Sequence, residues 1–420
     1  MKKLRLRTRI SLNTVAVWTA FACVMIYAMM EHVSTTISAF SSVKMPLMYL
    51  GGLCLLTQTR QISRVLLKRN YFCMLAWLAF FCLMLGLTIL FSNSSFGHSP
   101  LTQTVRLILY LMELFLTMIL LAESGRGKAA LNVLFWFVLV LVVISDALMF
   151  TRVLTFRSGK FENYLVGTKF AVSYRHMNLL VLWAIRSKRK LRSYRFSKLI
   201  ILALTAYLVL TALRVDCMTG ILGGLGLLVL LLVMDSPRRN KLMKFTSPNV
   251  LMLTMIASVV FVLVVESIMA LPAVRFVVEE ILGRDATITG RTDIYRLYLN
   301  NMQDSWLWGY GFGNGNYAAV SLFKYENVQN GLLQWVLQVG VPTTVVLVLV
   351  LLEVFRQIKR RKARNMDKIL PLVAMIYLYI ILSTVETTFD MGFIFWFGLV
   401  FMLVNEKDPA ALQPRTETLA

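Results

Sequence analysis

Charged residues, histidines and paired cysteines are scarce in this chain, and each scarcity excludes a class of protein. Only 15% of the 420 residues are charged, whereas a soluble globular domain carries about 25%. Three histidines, with no Asp-x-Asp motif and no His/Asp cluster, give no pattern of metal ligands. The five cysteines stand singly in or beside apolar segments, which is typical of packing residues and not of a disulfide framework. The sequence therefore predicts no metal site, no cofactor and no disulfide-bonded domain.

Apolar residues, by contrast, make up 58% of the chain, and the mean hydropathy is +0.69. They form stretches of the length that a bilayer demands, since a hydrocarbon core of about 30 Å needs about 20 helical residues. The sequence predicts an all-α polytopic membrane protein, in which residues 1–420 form a single integral-membrane domain with about twelve transmembrane helices. The predicted spans are 10–30, 43–57, 71–92, 104–123, 129–149, 169–186, 198–214, 217–235, 249–271, 331–355, 369–386 and 390–405.

Lysine and arginine are concentrated in every second connection between these stretches. Basic residues near short loops are retained on the cytoplasmic side, so we expect both termini to be cytoplasmic and the protein to lie in the inner (cytoplasmic) membrane. The net charge of +23 then reflects this bias and an attraction to anionic lipid, which predicts membrane lipids and no nucleic acid as partners. The dense basic segments are 2–9, 60–69, 126–128, 186–198, 238–244, 356–368 and the C-terminal tail.

The longest polar connection, 272–330, falls on the predicted external side between helices 9 and 10. A loop of this length is usually functional or disordered, and this one is rich in apolar and aromatic residues. Within it, the stretch 291–305 places Ile294, Leu297 and Tyr298 on one helical face. The pattern predicts an amphipathic helix that lies on the outer membrane surface or caps the bundle.

A glycine-rich turn, WLWGYGFGNGN (306–316), follows this helix. Glycine permits a positive φ, so the segment predicts a tight turn with backbone N–H groups available to anions. No strand precedes it, which excludes a dinucleotide-binding loop. Two interpretations stay open: a structural turn that leads into the next span, or a rim for an anionic lipid-linked substrate.

Several short motifs occur in order across this region: Gly290-Arg291, WLWGYGFG (306–313), QNGLLQ (329–334) and QVGVP (338–342). Their order and external placement resemble the bacterial O-antigen ligase and polysaccharide repeat-unit polymerase (Wzy-type) family over 288–345, with a weaker similarity over 160–230. In that family a Gly-Arg pair opens the long external loop, a glycine turn follows, and a His-Asn motif begins the next span.

The resemblance implies a substrate and a reaction. The donor is a growing glycan on undecaprenyl diphosphate, the acceptor is a polyprenyl-diphosphate-linked oligosaccharide repeat unit, and the lipid diphosphate is released without metal or nucleotide sugar. The products of such enzymes are capsule, exopolysaccharide or O-antigen. The resemblance also leaves room for a chain-length regulator and a flippase as partners.

This chain departs from the ligase pattern at one position. Ligases of the family carry histidine before the asparagine, and here Gln329 precedes Asn330. A glutamine amide does not titrate near neutral pH and cannot act as a general base. The departure favours a repeat-unit polymerase over a ligase that transfers glycan to a lipid or other acceptor.

Arginine suits the predicted chemistry because it is always charged and grips phosphate oxygens in pairs. Arginine within a span is unfavourable unless it faces a polar cavity or a partner. Arg291 is the leading candidate, from the family motif. The predicted catalytic residues are Arg291, Arg214, Glu326 and Gln329, and the predicted diphosphate- or glycan-binding residues are Arg106, Arg175, His176, Gly290, Gly311, Gly313 and Asn330.

The identity of a base stays open among Glu326, Asp293, Glu386, Asp390 and His176. Glu386 and Asp390 flank a short external hairpin, where two carboxylates are unfavourable unless they are used. The other two histidines, His32 and His98, have the pattern of ordinary loop residues.

A transporter is the alternative from another class, since twelve helices with both ends inside is also the layout of major-facilitator carriers. Those carriers place their longest connection inside, between spans six and seven, whereas this chain places it outside. A lipid-linked oligosaccharide flippase is closer, but it would not need the long external loop.

Overall fold

The computed structural model describes residues 12–93, 99–153, 156–158, 161–191, 195–234, 242–276, 279–280, 291–302, 305–361 and 365–408. Helices dominate these residues, and we number the α-helices in chain order. They are α1 (Leu12–Met29), α2 (Ala39–Leu56), α3 (Thr59–Leu66), α4 (Arg69–Phe91), α5 (Pro100–Glu123), α6 (Gly127–Thr151), α7 (Lys169–Leu191), α8 (Arg195–Arg214), α9 (Met218–Met234), α10 (Pro248–Met269), α11 (Pro272–Phe276), α12 (Arg291–Asn301), α13 (Gly315–Phe323), α14 (Gly331–Arg361), α15 (Met366–Leu382) and α16 (Met391–Asn405).

Each predicted span coincides with one of these helices. Within the described ranges, seven are long and apolar enough to cross a membrane, namely α1, α2, α4, α5, α6, α10 and α14, and α9 and α16 are shorter apolar helices. The chain is therefore a helical, multi-pass membrane protein. The count of twelve spans and the side of each loop stay predictions.

Several helix ends differ from the predicted ones by four to six residues. Helix α14 continues to Arg361 instead of ending at 355, because the residues after 355 are mostly good helix formers such as Arg, Lys and Gln. Helix α15 ends at Leu382 instead of 386, and this leaves Glu386 in the connection 383–390. A short antiparallel hairpin, β1 (Phe156–Ser158) with β2 (Phe161–Asn163), interrupts the predicted external connection 150–168.

Helix α16 is the centre of the bundle. Every residue from Met391 to Asn405 is buried, and the helix packs against α1, α5, α14 and α15. A helix that is apolar on all sides has to be surrounded by other helices or by lipid. Helix α2, in contrast, buries few of its residues and lies at the periphery.

Contacts between connections sort them into two ends of the bundle. Lys68 and Lys407 both contact the Glu123 carboxylate, and Lys128 N donates to Glu406 Oε1 at 3.3 Å. These residues come from connections that the sequence assigns to the basic side. We call the opposite end, which carries residues 291–302 and 305–330, the cap end, and we call those residues the cap.

The cap is a folded unit with its own apolar core. Helix α12 buries Ile294, Tyr295 and Tyr298 against Phe323 of α13 and against α10 and α14. Asp293 and Arg296 point away and are exposed. The predicted segment 291–305 thus contains a helix whose apolar side covers the cap-end termini of two long helices.

The glycine-rich turn docks into a break in α14. Gly340 has φ 76° and ψ 171°, outside the helical region. Across the break, Tyr310 N donates to Leu337 O at 2.9 Å and Val341 N donates to Trp306 O at 2.8 Å. The backbone groups that the break frees are therefore satisfied by the turn, as buried peptide groups must be.

We expect Gly340→Ala to destabilise the protein, since an added Cβ would lie 2.1 Å from Leu307 O and the positive φ disfavours a side chain. Strain of this kind costs about 1–3 kcal/mol, and the steric clash adds to it. Thermal unfolding of the purified protein in lipid nanodiscs measures the loss. Gly226→Ala is the matched control, because its Cβ would meet nothing within 4 Å. Equal melting temperatures for the two variants would contradict the docking.

Candidate functional site

Arg291 begins α12 and reaches across the cap end to the connection between α15 and α16. Its Nε donates to Val385 O at 2.8 Å, and its Nη2 donates to Glu386 Oε1 at 2.7 Å. The two side chains are 15% and 6% exposed. Nη2 also lies 3.5 Å from Gln329 Oε1. Residues far apart in sequence are thus held together by one guanidinium.

Tyr295, one turn further along α12, fixes the same connection. Its hydroxyl lies 2.8 Å from Thr384 O and 3.0 Å from Gln329 O, and the two carbonyls share its single proton. Tyr295 is buried. The first two turns of α12 therefore clamp the connection 383–390 against the segment that precedes α14.

The segment Gln329-Asn330-Gly331 makes the turn into α14, and each of its residues helps to fix this turn. Gln329 adopts φ 55°. Asn330 Oδ1 accepts from Leu333 N at 3.1 Å, which caps the helix, and its Nδ2 donates to Ser258 O at 3.2 Å. Gly331 N donates to Ser383 O at 3.1 Å. The geometry places the Gln329 side chain beside Arg291.

Glu386 is a buried carboxyl group whose pKa is raised. Burial raises the pKa of Glu386 to about 7, although the nearby charges of Arg291 and Lys169 act in the opposite direction. The ion pair uses Oε1, and no hydrogen bond among the described residues uses Oε2. A carboxylate that gains its proton near neutral pH and has an uncommitted oxygen has the properties of a general base.

A second polar cluster lies at the other end of the same connection. His32 Nε2 is 3.2 Å from Asp390 Oδ2, and Glu31 Oε2 accepts from Met391 N at 3.0 Å. Asp390 Oδ1 accepts from Phe393 N at 2.8 Å, so Asp390 caps α16. Partial burial lowers the pKa of His32, but the Asp390 hydrogen bond and the Glu31 and Asp390 charges outweigh it, and the pKa is raised.

Ligand atoms of Glu31, His32 and Asp390 lie within 4.8 Å of one another, a spacing that a metal ion could bridge. Cationic side chains surround this group, however. Lys44 Nζ donates to Glu31 O at 2.7 Å, and Arg175 lies within electrostatic range of His32. This charge balance favours an anion over a divalent cation at the cluster.

The other predicted residues take different positions. Arg214 ends α8 and is exposed, Glu326 is exposed in the cap, and neither joins the described hydrogen bonds around Arg291. His176 Nε2 contacts Asp146 Oδ2 at 3.0 Å and its Nδ1 contacts Val172 O at 2.9 Å. With both ring nitrogens occupied inside the bundle, His176 has the contacts of a packing residue.

Two of the predicted glycines, Gly311 and Gly313, lie in the cap. Gly311 packs against Pro100 at the start of α5, and Gly313 packs against Gln103. Gly313 N donates to Gln338 Oε1 at 2.9 Å. Gly290, like His98, lies outside the described residues. A part for any of these residues in substrate binding stays a prediction.

Sequence reasoning gave too little weight to two residues. The pattern around His32 is that of a loop residue and gives no sign of its partner, because Asp390 lies 358 positions away. Glu386 was one of several possible bases, and its partner Arg291 lies 95 positions away. The usable signal was the pair of carboxylates in one short connection between two apolar spans.

The comparison with known families agrees with the motifs. Residues 199–348 match the family model described as O-Antigen ligase, which confirms the resemblance to the O-antigen ligase and polymerase family. The matched region runs from α8 into α14 and contains Arg291 and Gln329. Glu386, Asp390, Arg106 and Arg175 lie outside it. No curated protein has significant similarity to the chain.

Proposed function

We propose that this chain, which carries an O-antigen ligase family region over 199–348, is a repeat-unit polymerase of a cell-surface polysaccharide. Its cap end faces the outside of the inner (cytoplasmic) membrane. There it transfers a growing glycan from undecaprenyl diphosphate to a second lipid-linked repeat unit and releases the lipid diphosphate.

The observation that best supports this proposal is the environment of Arg291. This arginine is 15% exposed and is oriented by Val385 O and by Glu386. A guanidinium held in this way is preorganised to stabilise charge that develops on a leaving group. The leaving group of the proposed reaction is a diphosphate, whose oxygens a planar guanidinium can contact in pairs.

Glu386 supplies the base in this proposal. The acceptor hydroxyl attacks the anomeric carbon of the donor, the bond from that carbon to the diphosphate oxygen breaks, and the proton of the hydroxyl passes to Glu386. Protonation removes the negative charge of Glu386 from Arg291. The positive charge of Arg291 is then fully available at the moment when the diphosphate gains charge.

Gln329 fits the polymerase better than the ligase. Its amide lies beside Arg291 but cannot accept a proton near neutral pH. Glu386 on the other side of the same guanidinium can. The histidine of the ligase pattern is therefore not needed for proton transfer in this chain.

The test uses purified protein in lipid nanodiscs with lipid-diphosphate-linked repeat units from the host, a chelator and no nucleotide sugar. We expect a ladder of products that differ by one repeat unit. The absence of a ladder, combined with transport of labelled lipid across vesicles, would replace the polymerase with a flippase or transporter.

Ligation is the second candidate, favoured by the matching family, which is that of O-antigen ligases. The same assay separates the two functions. A ligase would form no ladder from repeat units alone but would transfer glycan when a different lipid or other acceptor is added.

A further inference from the structure

Two arginines near the cap end have no carboxylate partner among the described residues. Arg175 of α7 is 3% exposed. Its Nη1 lies 3.5 Å from Met29 Sδ and 3.2 Å from the Asn178 side-chain amide, and its Nε has no partner. Arg106 of α5 likewise buries an Nε without a partner. A buried guanidinium that lacks a counter-charge is unfavourable in a membrane protein.

Two carboxylates in this region bond to other groups. Glu31 accepts from Met391 N, and Asp390 accepts from Phe393 N and contacts His32. These hydrogen bonds fix the start of α16, and no ion pair among the described residues joins either carboxylate to Arg106 or Arg175. Two arginines without an ion-pair partner at such a place point to an anionic ligand.

The basic residues are related through neighbouring groups, and each lies a similar distance along its helix. Arg106 lies within electrostatic range of Lys44 and of Tyr27, and Arg175 touches Met29 and lies within range of His32. All three basic residues stand in the second turn from the cap-end start of their helices, α5, α2 and α7. At 1.5 Å per residue this is about 7.5–9 Å along the helices from their starts, where the diphosphate of a lipid in the outer leaflet could reach them.

Tyr174 connects this cluster with Arg291. Its hydroxyl is buried and has no hydrogen-bond partner, and it lies within electrostatic range of both Glu386 and Asp390. These carboxylates belong to the single connection 383–390, one next to Arg291 and the other next to His32. The unpartnered hydroxyl therefore lies near both carboxylates of this connection.

We propose that Arg106 and Arg175, with Lys44, form a second diphosphate-binding site, which holds the acceptor's lipid diphosphate while Arg291 holds the donor's. The inference rests on the proposed function, because a repeat-unit polymerase must hold two lipid diphosphates at once. A ligase needs only one. The acceptor sugar then extends from the second site past Tyr174 towards Glu386.

Binding stoichiometry tests the second site without depending on turnover. The full chain in neutral detergent is titrated with geranylgeranyl diphosphate by calorimetry. We expect two equivalents for the wild type, one for the Arg106→Gln/Arg175→Gln variant and one for Arg291→Gln. The equivalent that each variant retains shows that the variant is folded. Arg152→Gln, which replaces an exposed arginine at the end of α6, should keep two equivalents.

Two outcomes would overturn the second site. One is a single equivalent in the wild type that disappears in Arg291→Gln alone. The other is displacement of the second equivalent by phosphatidylglycerol, which would make the cluster a phospholipid headgroup site. Inorganic diphosphate, added as a separate arm, should compete at both sites if the diphosphate is the recognised group, and failure to compete would also count against the proposal. A product ladder from a protein that binds one equivalent of the lipid diphosphate would contradict only the second site. Two bound equivalents that depend on the mutated arginines, without a product ladder, would contradict only the polymerase function.

Discussion

Arg291→Ala will abolish high-molecular-weight product while the protein remains inserted and folded. Removing one preorganised charge from a developing anion typically lowers turnover about 10²–10³-fold, and a polymer that needs many successive transfers then disappears from the gel. Arg291→Lys should recover little, since an ammonium ion cannot contact two phosphate oxygens and the Val385 carbonyl in the planar geometry of a guanidinium. The measurement is the product ladder, with initial rates of the first transfer.

Folding of the alanine variant follows from the acidity of Glu386. Breaking a buried ion pair costs about 3–5 kcal/mol when the remaining charge stays buried. Here the pKa of Glu386 is already about 7 beside Arg291 and rises further without it, so the carboxyl group gains a proton and avoids most of that cost. Arg296→Ala is the matched control on the same helix, because the Arg296 side chain is 62% exposed. Polymer of normal length from Arg291→Ala would contradict the proposed role of Arg291 in stabilising the leaving diphosphate.

Glu386→Gln will lower the rate of the first transfer by about 10²–10⁴-fold, the range expected for loss of a general base. Glutamine keeps the size of the side chain and an oxygen for Arg291, but it cannot accept a proton. In the wild type the rate should rise with pH and level off above about 7, because burial raises the pKa of Glu386 to about 7 and only the ionised form is a base. The residual rate of the variant should lose this rise.

Stability should show the opposite pH dependence. The pKa of Glu386 is higher in the folded protein than its ordinary value of 4.5, so the folded state binds more protons between these values. The free energy of unfolding therefore decreases as the pH increases from about 4.5 to about 7.

A wild-type reaction rate that is flat across this pH range would contradict the part of Glu386 as the base. A Glu386→Gln rate equal to that of the wild type would contradict it as well.

The helices and the importance of the cap region could be predicted from sequence because both depend on local composition. An apolar stretch of about 20 residues predicts a spanning helix wherever it occurs, and the positions of Ile294 and Tyr298 predict the buried side of α12. The partner of Arg291 could not be predicted in the same way. Several carboxylates stand in predicted external connections, and only packing brings Glu386 to it.

Packing also decides where the other predicted residues lie. Arg214 and Glu326 lie at the surface, and their part in catalysis stays a prediction. His32 lacked any motif, and its contact with Asp390 depends on how α1 and α16 pack. Sequence gives the chemical candidates, and tertiary packing decides which of them meet.

The docking of the glycine turn into the break of α14 has a consequence for how such proteins can vary. The peptide groups of 306–310 and 337–341 satisfy each other, so an insertion or deletion in one segment would orphan groups in the other. The two segments can therefore change only together, although residues 311–336 lie between them. Adaptation to a new sugar has to use surfaces free of this constraint, such as the hairpin of β1 and β2 or the exposed residues near Glu326.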